Sequence, residues 1–70
     1  MKVLINNMPI ELFHGATLKH ALLKADEQLY KDVITGFSLI QDQDGNVTDI
    51  NGAVGENFSY IVIRKKDDVS

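Results

Sequence analysis

The side chains able to do chemistry are few and scattered along this 70-residue sequence. Its two histidines, His14 and His20, flank a short loop and could approach one another. Zinc, however, takes three or four protein ligands, and no acidic residue stands beside the pair. The spacing therefore describes surface histidines near the start of a helix. Cysteine is absent, which removes disulfides, thiolate metal sites, cysteine-bound clusters and thiol nucleophiles together.

The acidic stretch Asp42, Asp44, Asn46, Thr48 and Asp49 invites comparison with a calcium-binding loop. When the invariant glycine of such a loop is placed on Gly45, the first ligand position falls on Ile40 and the last on Asn51. Neither can supply the ionised anchor, so the stretch reads as a hairpin turn with solvated acids. Gly52 and Gly55 precede an apolar strand, whereas phosphate-cradling loops open a helix. No nucleophile elbow or Ser/His/Asp spacing occurs. These absences predict a protein that is not an enzyme, with no catalytic residue, no cofactor and no metal.

Charge narrows the partners. The formal net charge is −3, and the one basic cluster, Arg64-Lys65-Lys66, runs directly into Asp67-Asp68. Nucleic-acid binding relies on a basic face that releases counterions, so no nucleic-acid partner is expected. No apolar run is long enough to cross a bilayer. Met1-Lys2-Val3-Leu4-Ile5 meets Asn6-Asn7 too soon for a signal peptide, and a cytoplasmic setting is expected on that ground. The length allows one core, stabilised by packing alone, with residues 1–66 forming a single domain and 67–70 a frayed tail.

The elements that must hold these residues follow from periodicity. Lys2 to Asn6 and Ile10 to Phe13 are apolar runs joined across Asn6-Asn7; asparagine tolerates positive φ, which predicts a hairpin. Pro9 opens the second run and confines it to a sheet edge. From Thr17 the period lengthens: Leu18, Ala21, Leu22, Ala25 and Leu29 share one face of an amphipathic helix, with Thr17 as N-cap. Asp26 resembles a second cap, after which the helix restarts through Leu29, Tyr30, Val33 and Ile34 until Gly36 closes it. Phe37 to Asp42 and Val47 to Ile50 pair across Asp44-Gly45, read as a type I′ turn, and Phe58 to Arg64 form a long last strand.

A hairpin buries only one face, so the helix must lie across the sheet and the last strand must find an unpaired edge. The economical solution sets the last strand beside the first, parallel to it, in the middle of the sheet. The fold class expected is α+β: ββαββ, a mixed sheet of four to five strands packed on one helix.

Lys2-Val3-Leu4-Ile5-Asn6, Gly15-Ala16-Thr17-Leu18 at the helix start and Val54-Gly55-Glu56-Asn57-Phe58-Ser59-Tyr60-Ile61 before the last strand carry a family likeness. In these stretches the chain resembles the ubiquitin-like, or β-grasp, superfamily, and especially small bacterial members: the sulfur carriers of thiamine and molybdopterin synthesis and ferredoxin-like domains. The resemblance covers nearly the whole chain. It implies a β-grasp fold and, for the sulfur carriers, a C-terminal Gly-Gly that is converted to a thiocarboxylate. This sequence carries Asp67-Asp68-Val69-Ser70 instead, so a carrier role in cofactor biosynthesis would require an atypical or processed tail. A cluster-binding role lacks its four thiolates.

Strand alternation then asks which apolar residues the helix leaves uncovered. If Val3, Ile5, Ile61 and Ile63 point to the helix, then Leu4, Tyr60 and Val62 point away and meet on the open face of the sheet. The function expected is a non-catalytic protein-interaction or accessory module whose partner is another protein, with Leu4, Tyr60 and Val62 as anchors. The chain itself is expected to be a monomer or weak oligomer. Strand addition at the second strand is blunted by Pro9 and Glu11, and a small-ligand pocket lacks an evident polar lining.

Overall fold

The computed structural model describes residues 1–65. Lys66, the last residue of the expected domain, and the expected tail 67–70 lie outside the described residues. The element order is β1 (Lys2–Ile5), β2 (Met8–Glu11), α1 (Leu18–Ala25), α2 (Glu27–Ile34), β3 (Ser38–Asp42), β4 (Val47–Thr48) and β5 (Ser59–Arg64). The fold is α+β. The five strands form one mixed sheet in the order β2-β1-β5-β3-β4. β1 and β5 run parallel at its centre, and every other neighbouring pair is antiparallel. The single packed helix of the expected fold class is corrected to two helices, and the mixed sheet has five strands, within the four to five expected.

Asn6 and Asn7 adopt φ of +50° and +68°, the left-handed pair that a two-residue hairpin turn demands. Because this turn is so tight, pairing begins at once with Ile5 opposite Met8, and β2 starts two residues before the expected Ile10. Pro9 lies within β2 opposite Leu4, at the sheet edge, where its missing N–H breaks no ladder. At the second hairpin only Gly45 has positive φ, +85°, and Asp42 N–H bonds Asn46 O across a three-residue loop. The expected type I′ turn on Asp44-Gly45 is thus replaced by a longer loop with one left-handed glycine. Asp42 explains the change: its Oδ1 accepts from the amides of both Asp44 and Asn46 at 2.9 Å, drawing the loop around the carboxylate.

The helical segment breaks where the sequence placed a second cap. Asp26 leaves the helix, at φ −168° and ψ 119°, and its carboxylate accepts from Gln28 N–H, starting α2. After Thr35, Gly36 turns left-handed at φ +89°. Gly36 N–H bonds Val33 O and Phe37 N–H bonds Asp32 O, so the closing glycine satisfies two carbonyls at the end of α2.

The core lies between α1 and the inner face of the sheet. Leu18, Ala21 and Leu22 from the helix meet Val3, Ile5, Ile10, Ile40 and Tyr60 from the strands, with Leu12, Ala16 and Val54 closing the ends. Full burial of each large aliphatic side chain contributes roughly 1.5–3 kcal/mol, and no covalent cross-link assists. α2 buries no residue completely; Leu29, Tyr30 and Val33 pack on the core from its margin.

Asn6 also joins the central strands. Its Oδ1 accepts from Val62 N–H at 2.9 Å, extending the β1–β5 ladder past the point where β1 turns away. Replacing Asn6 by Gly keeps the backbone angle and loses the bond, which predicts a destabilisation of about 1 kcal/mol. Asn6→Ala adds left-handed strain for a total of about 2–3 kcal/mol, whereas Asn7→Gly changes stability by no more than about 0.5 kcal/mol. Urea denaturation of the three variants measures these differences. Equal losses for the Gly and Ala variants at position 6 would contradict the strain contribution.

Candidate functional site

The register of the sheet decides which side chains reach the uncovered face. Val3 and Ile5 of β1 are fully buried, so the helices lie on their side and Lys2 and Leu4 project from the other. Ile5 is level with Tyr60, and Ile40, also fully buried, is level with Val62. Residues level with one another point to the same face, so Tyr60 and Val62 point toward the helices. Tyr60 is 4% exposed, and its hydroxyl accepts from Gly55 N–H at 3.3 Å, which satisfies the buried phenol. Val62 packs against the core. The expected outward set is therefore corrected: Leu4 projects onto the open face as predicted, and Tyr60 and Val62 do not.

Their places are taken by Ile61 and Ile63, 42% and 38% exposed. Ile63 is level with Leu39 of β3, and Ile61 with Gln41. On β1, Leu4 is level with Ser59 of β5 and with Pro9 of β2. Leu4, Ile61, Ile63 and Leu39 thus form an apolar strip over the three central strands, with Leu4 and Leu39 half-buried by their neighbours. Val47, 65% exposed on the edge strand β4, is level with Gln41 at its margin. Sequence reasoning missed Leu39, Ile61 and Ile63 because Tyr60-Ile61-Val62-Ile63 is apolar in both phases. Within this central stretch no polar residue marks the outer side; only Ser59 at the start of β5 does.

The histidines have a structural use. Thr17 is the N-cap of α1, and His20 Nδ1 accepts from Thr17 N–H at 3.0 Å, taking the part that glutamate plays in a capping box. Accepting that bond places the ring proton on Nε2. The ring also meets Phe13 edge-on, with centroids 5.1 Å apart. The next two amides of the helix, Leu18 and Lys19, donate to Gly52 O and Ile50 O. The start of α1 therefore offers none of these three donors to an anion. His14 is exposed, and among the described residues no three metal-ligating side chains gather. A groove of about 490 Å³ runs between α2 and the β3–β4 hairpin, lined by Val33, Ile34, Leu39, Val47 and Ile50 with Ser38, Thr48 and Asp49. Asp49 there spends one carboxylate oxygen on Asn51 N–H.

No family model, no curated protein and no solved structure matches the chain.

His20→Ala should lower stability by about 0.5–1 kcal/mol through loss of the cap. His20→Glu should retain most of it, and urea denaturation distinguishes the two. At the far corner of the sheet, the Met1 ammonium donates to Glu11 Oε2 at 2.9 Å. That hydrogen bond, with the ammonium's charge and to a lesser degree Lys24 and Lys2, holds the Glu11 carboxyl below its ordinary value. A carboxyl lowered in the folded state stabilises the fold above its unfolded value, and the contribution disappears as pH falls through the folded one. Glu11→Gln should flatten the acid limb of the stability curve, and a carbon-detected titration should place Glu11 below the ordinary glutamate value.

Proposed function

We propose that this chain is a non-catalytic interaction module of the β-grasp kind that binds another protein through the open face of its sheet. The β-grasp reading is supported by the strand order β2-β1-β5-β3-β4, the parallel central pair and the helices packed across one face. The observation that carries the functional reading is the strip formed by Leu4, Leu39, Ile61 and Ile63. Single exposed apolar side chains are ordinary on a protein surface; a contiguous set across neighbouring strands marks an interaction surface. Two isoleucines that keep more than a third of their surface in water recover roughly 1 kcal/mol each when a partner covers them.

The edges of the sheet favour contact through this face over addition of a strand. β2 carries Pro9, and β4 is two residues long, so neither edge offers a continuous row of free backbone donors and acceptors. A partner therefore meets side chains, and apolar side chains at the centre with polar ones around them suit a small, reversible interface.

The test is an amide map. Adding extract of the native host to the isotopically labelled chain should move the resonances of Leu4, Leu39, Ile61 and Ile63 and leave α1 and α2 in place. The double variant Ile61→Arg, Ile63→Glu should keep the fold and lose the response. Shifts clustered on the helices would overturn the proposal.

A further inference from the structure

The segment between β4 and β5 holds a pair of residues whose own atoms can react with one another. Asn6, Asn7, Asn46 and Asn57 are followed by Asn7, Met8, Val47 and Phe58, whereas Asn51 is followed by Gly52. The carboxamide carbon of an asparagine and the amide nitrogen of the next residue can close a five-membered ring, and a side chain on that next residue obstructs the approach. Glycine offers no obstruction. Asn51 is exposed, and among the described residues it is its main-chain N–H, not its carboxamide, that is engaged, donating to Asp49 Oδ1 at 3.1 Å.

The fold asks for glycine at position 52 on separate grounds. A Cβ at Gly52 would stand 3.0 Å from the main-chain Asp49 O and 3.3 Å from Thr48 Oγ1, because the turn draws Gly52 N–H onto Asp49 O at 2.9 Å. The turn thus favours the residue that makes Asn51 reactive, and at the same time keeps the nucleophile occupied. To reach the Asn51 carboxamide carbon, the Gly52 nitrogen must leave Asp49 O as the peptide plane between the two residues rotates. That rotation is resisted on both sides. Gly52 O receives Leu18 N–H at 3.1 Å, Ile50 O receives Lys19 N–H at 2.9 Å, and Ala53 is bridged to Thr17.

We propose that Asn51-Gly52 is a site of spontaneous isoaspartate formation, gated by release of this segment from the head of α1. Once the segment opens, the Gly52 nitrogen gives its proton to water and bonds to Asn51 Cγ. The carboxamide nitrogen leaves as ammonia, and a succinimide remains. Water then adds to one of the two ring carbonyls. Addition at Cγ breaks the new bond and leaves aspartate; addition at the main-chain carbonyl breaks the original peptide bond and leaves isoaspartate, whose chain runs through the former side chain. Either route consumes water, releases ammonia and turns the carboxamide into a carboxylate, with no oxidant or reductant involved. Isoaspartate sets one additional main-chain atom between the carbonyls of Ile50 and Gly52. Those carbonyls receive consecutive amides of α1, so the added atom puts them out of register and the original contacts do not re-form. The release is one-way. At Asp44-Gly45 the same ring would have to expel oxygen from an ionised carboxylate, a far slower step that leaves the mass of the chain unchanged.

The test incubates the full chain at mildly alkaline pH, both in buffer and in denaturing guanidinium, and follows each asparagine by peptide mass spectrometry with chromatographic separation of the aspartyl and isoaspartyl forms. Conversion at Asn51 should yield more isoaspartate than aspartate and run at least about tenfold faster in the unfolded chain, because the folded rate is scaled by the fraction of time the segment is open. Asn51→Gln, which would need a larger ring, should abolish it. Hydrogen exchange then compares the purified isoaspartyl chain with the variant Asn51→Asp, which carries the same charge and lacks the added main-chain atom. The Leu18 and Lys19 amides should stay protected in Asn51→Asp and exchange at least about tenfold faster in the isoaspartyl chain. Equal rates of conversion in the two solvents, faster conversion at another asparagine, or undiminished protection of Leu18 and Lys19 in the isoaspartyl chain would overturn the proposal.

Discussion

The parallel contact between β1 and β5 holds this structure together. Its two strands are separated by more than fifty residues, so loop-closure entropy opposes it until both hairpins and the helices are in place. Besides the ladder itself, hydrogen bonds fasten it from Asn57 N–H to Lys2 O, Leu4 N–H to Phe58 O, Asn6 N–H to Tyr60 O and Val62 N–H to Asn6 Oδ1. Once formed, it sets Ile5 level with Tyr60, fixes the phase of β5, and through β5 fixes that of β3. A shift by one residue would exchange every inward side chain of the last strand for an outward one.

That phase marks the limit of what the sequence made legible. The elements with local signals were readable: the Asn6-Asn7 turn, the Thr17 start of α1, the interruption at Asp26 and the closing Gly36 each follow from the conformational preference of one or two residues. The parallel placement of β5 beside β1 was readable as well, because the two most continuously apolar runs belong in the middle of a sheet. The orientation of β5 was not. Tyr60, Ile61, Val62 and Ile63 suit burial in either phase, and the choice between them is made by backbone bonds to residues 2–6 at the other end of the chain. Leu4 was placed correctly since its own strand starts with Lys2, a polar marker of the outward phase. Leu39 went unnoticed because the sequence does not show which residue of β5 lies beside it.

The same ambiguity has a physical side. A strand with mainly polar residues on its outer phase would have one stable register and a wettable surface; this one sets Tyr60 and Val62 inward and Ile61 and Ile63 outward, so both sides are apolar at its centre. The chain thus leaves apolar area in water at the centre of its widest surface while limiting both sheet edges with a proline and a very short strand. Both edges are thereby poor templates for open-ended strand pairing, whatever the face itself meets.

The start of α1 carries another consequence. Its Leu18 and Lys19 amides rest on the carbonyls of Gly52 and Ile50, and Thr17 meets Ala53 in an isolated bridge. The segment leading from β4 to β5 is therefore clamped to the head of the helix by main-chain bonds that depend on no particular side chain. Mutational drift at the exposed Asn51 and Ala53 can change the chemistry of that surface while the clamp endures, and an incoming phosphate would first have to evict two carbonyls of the protein's own chain.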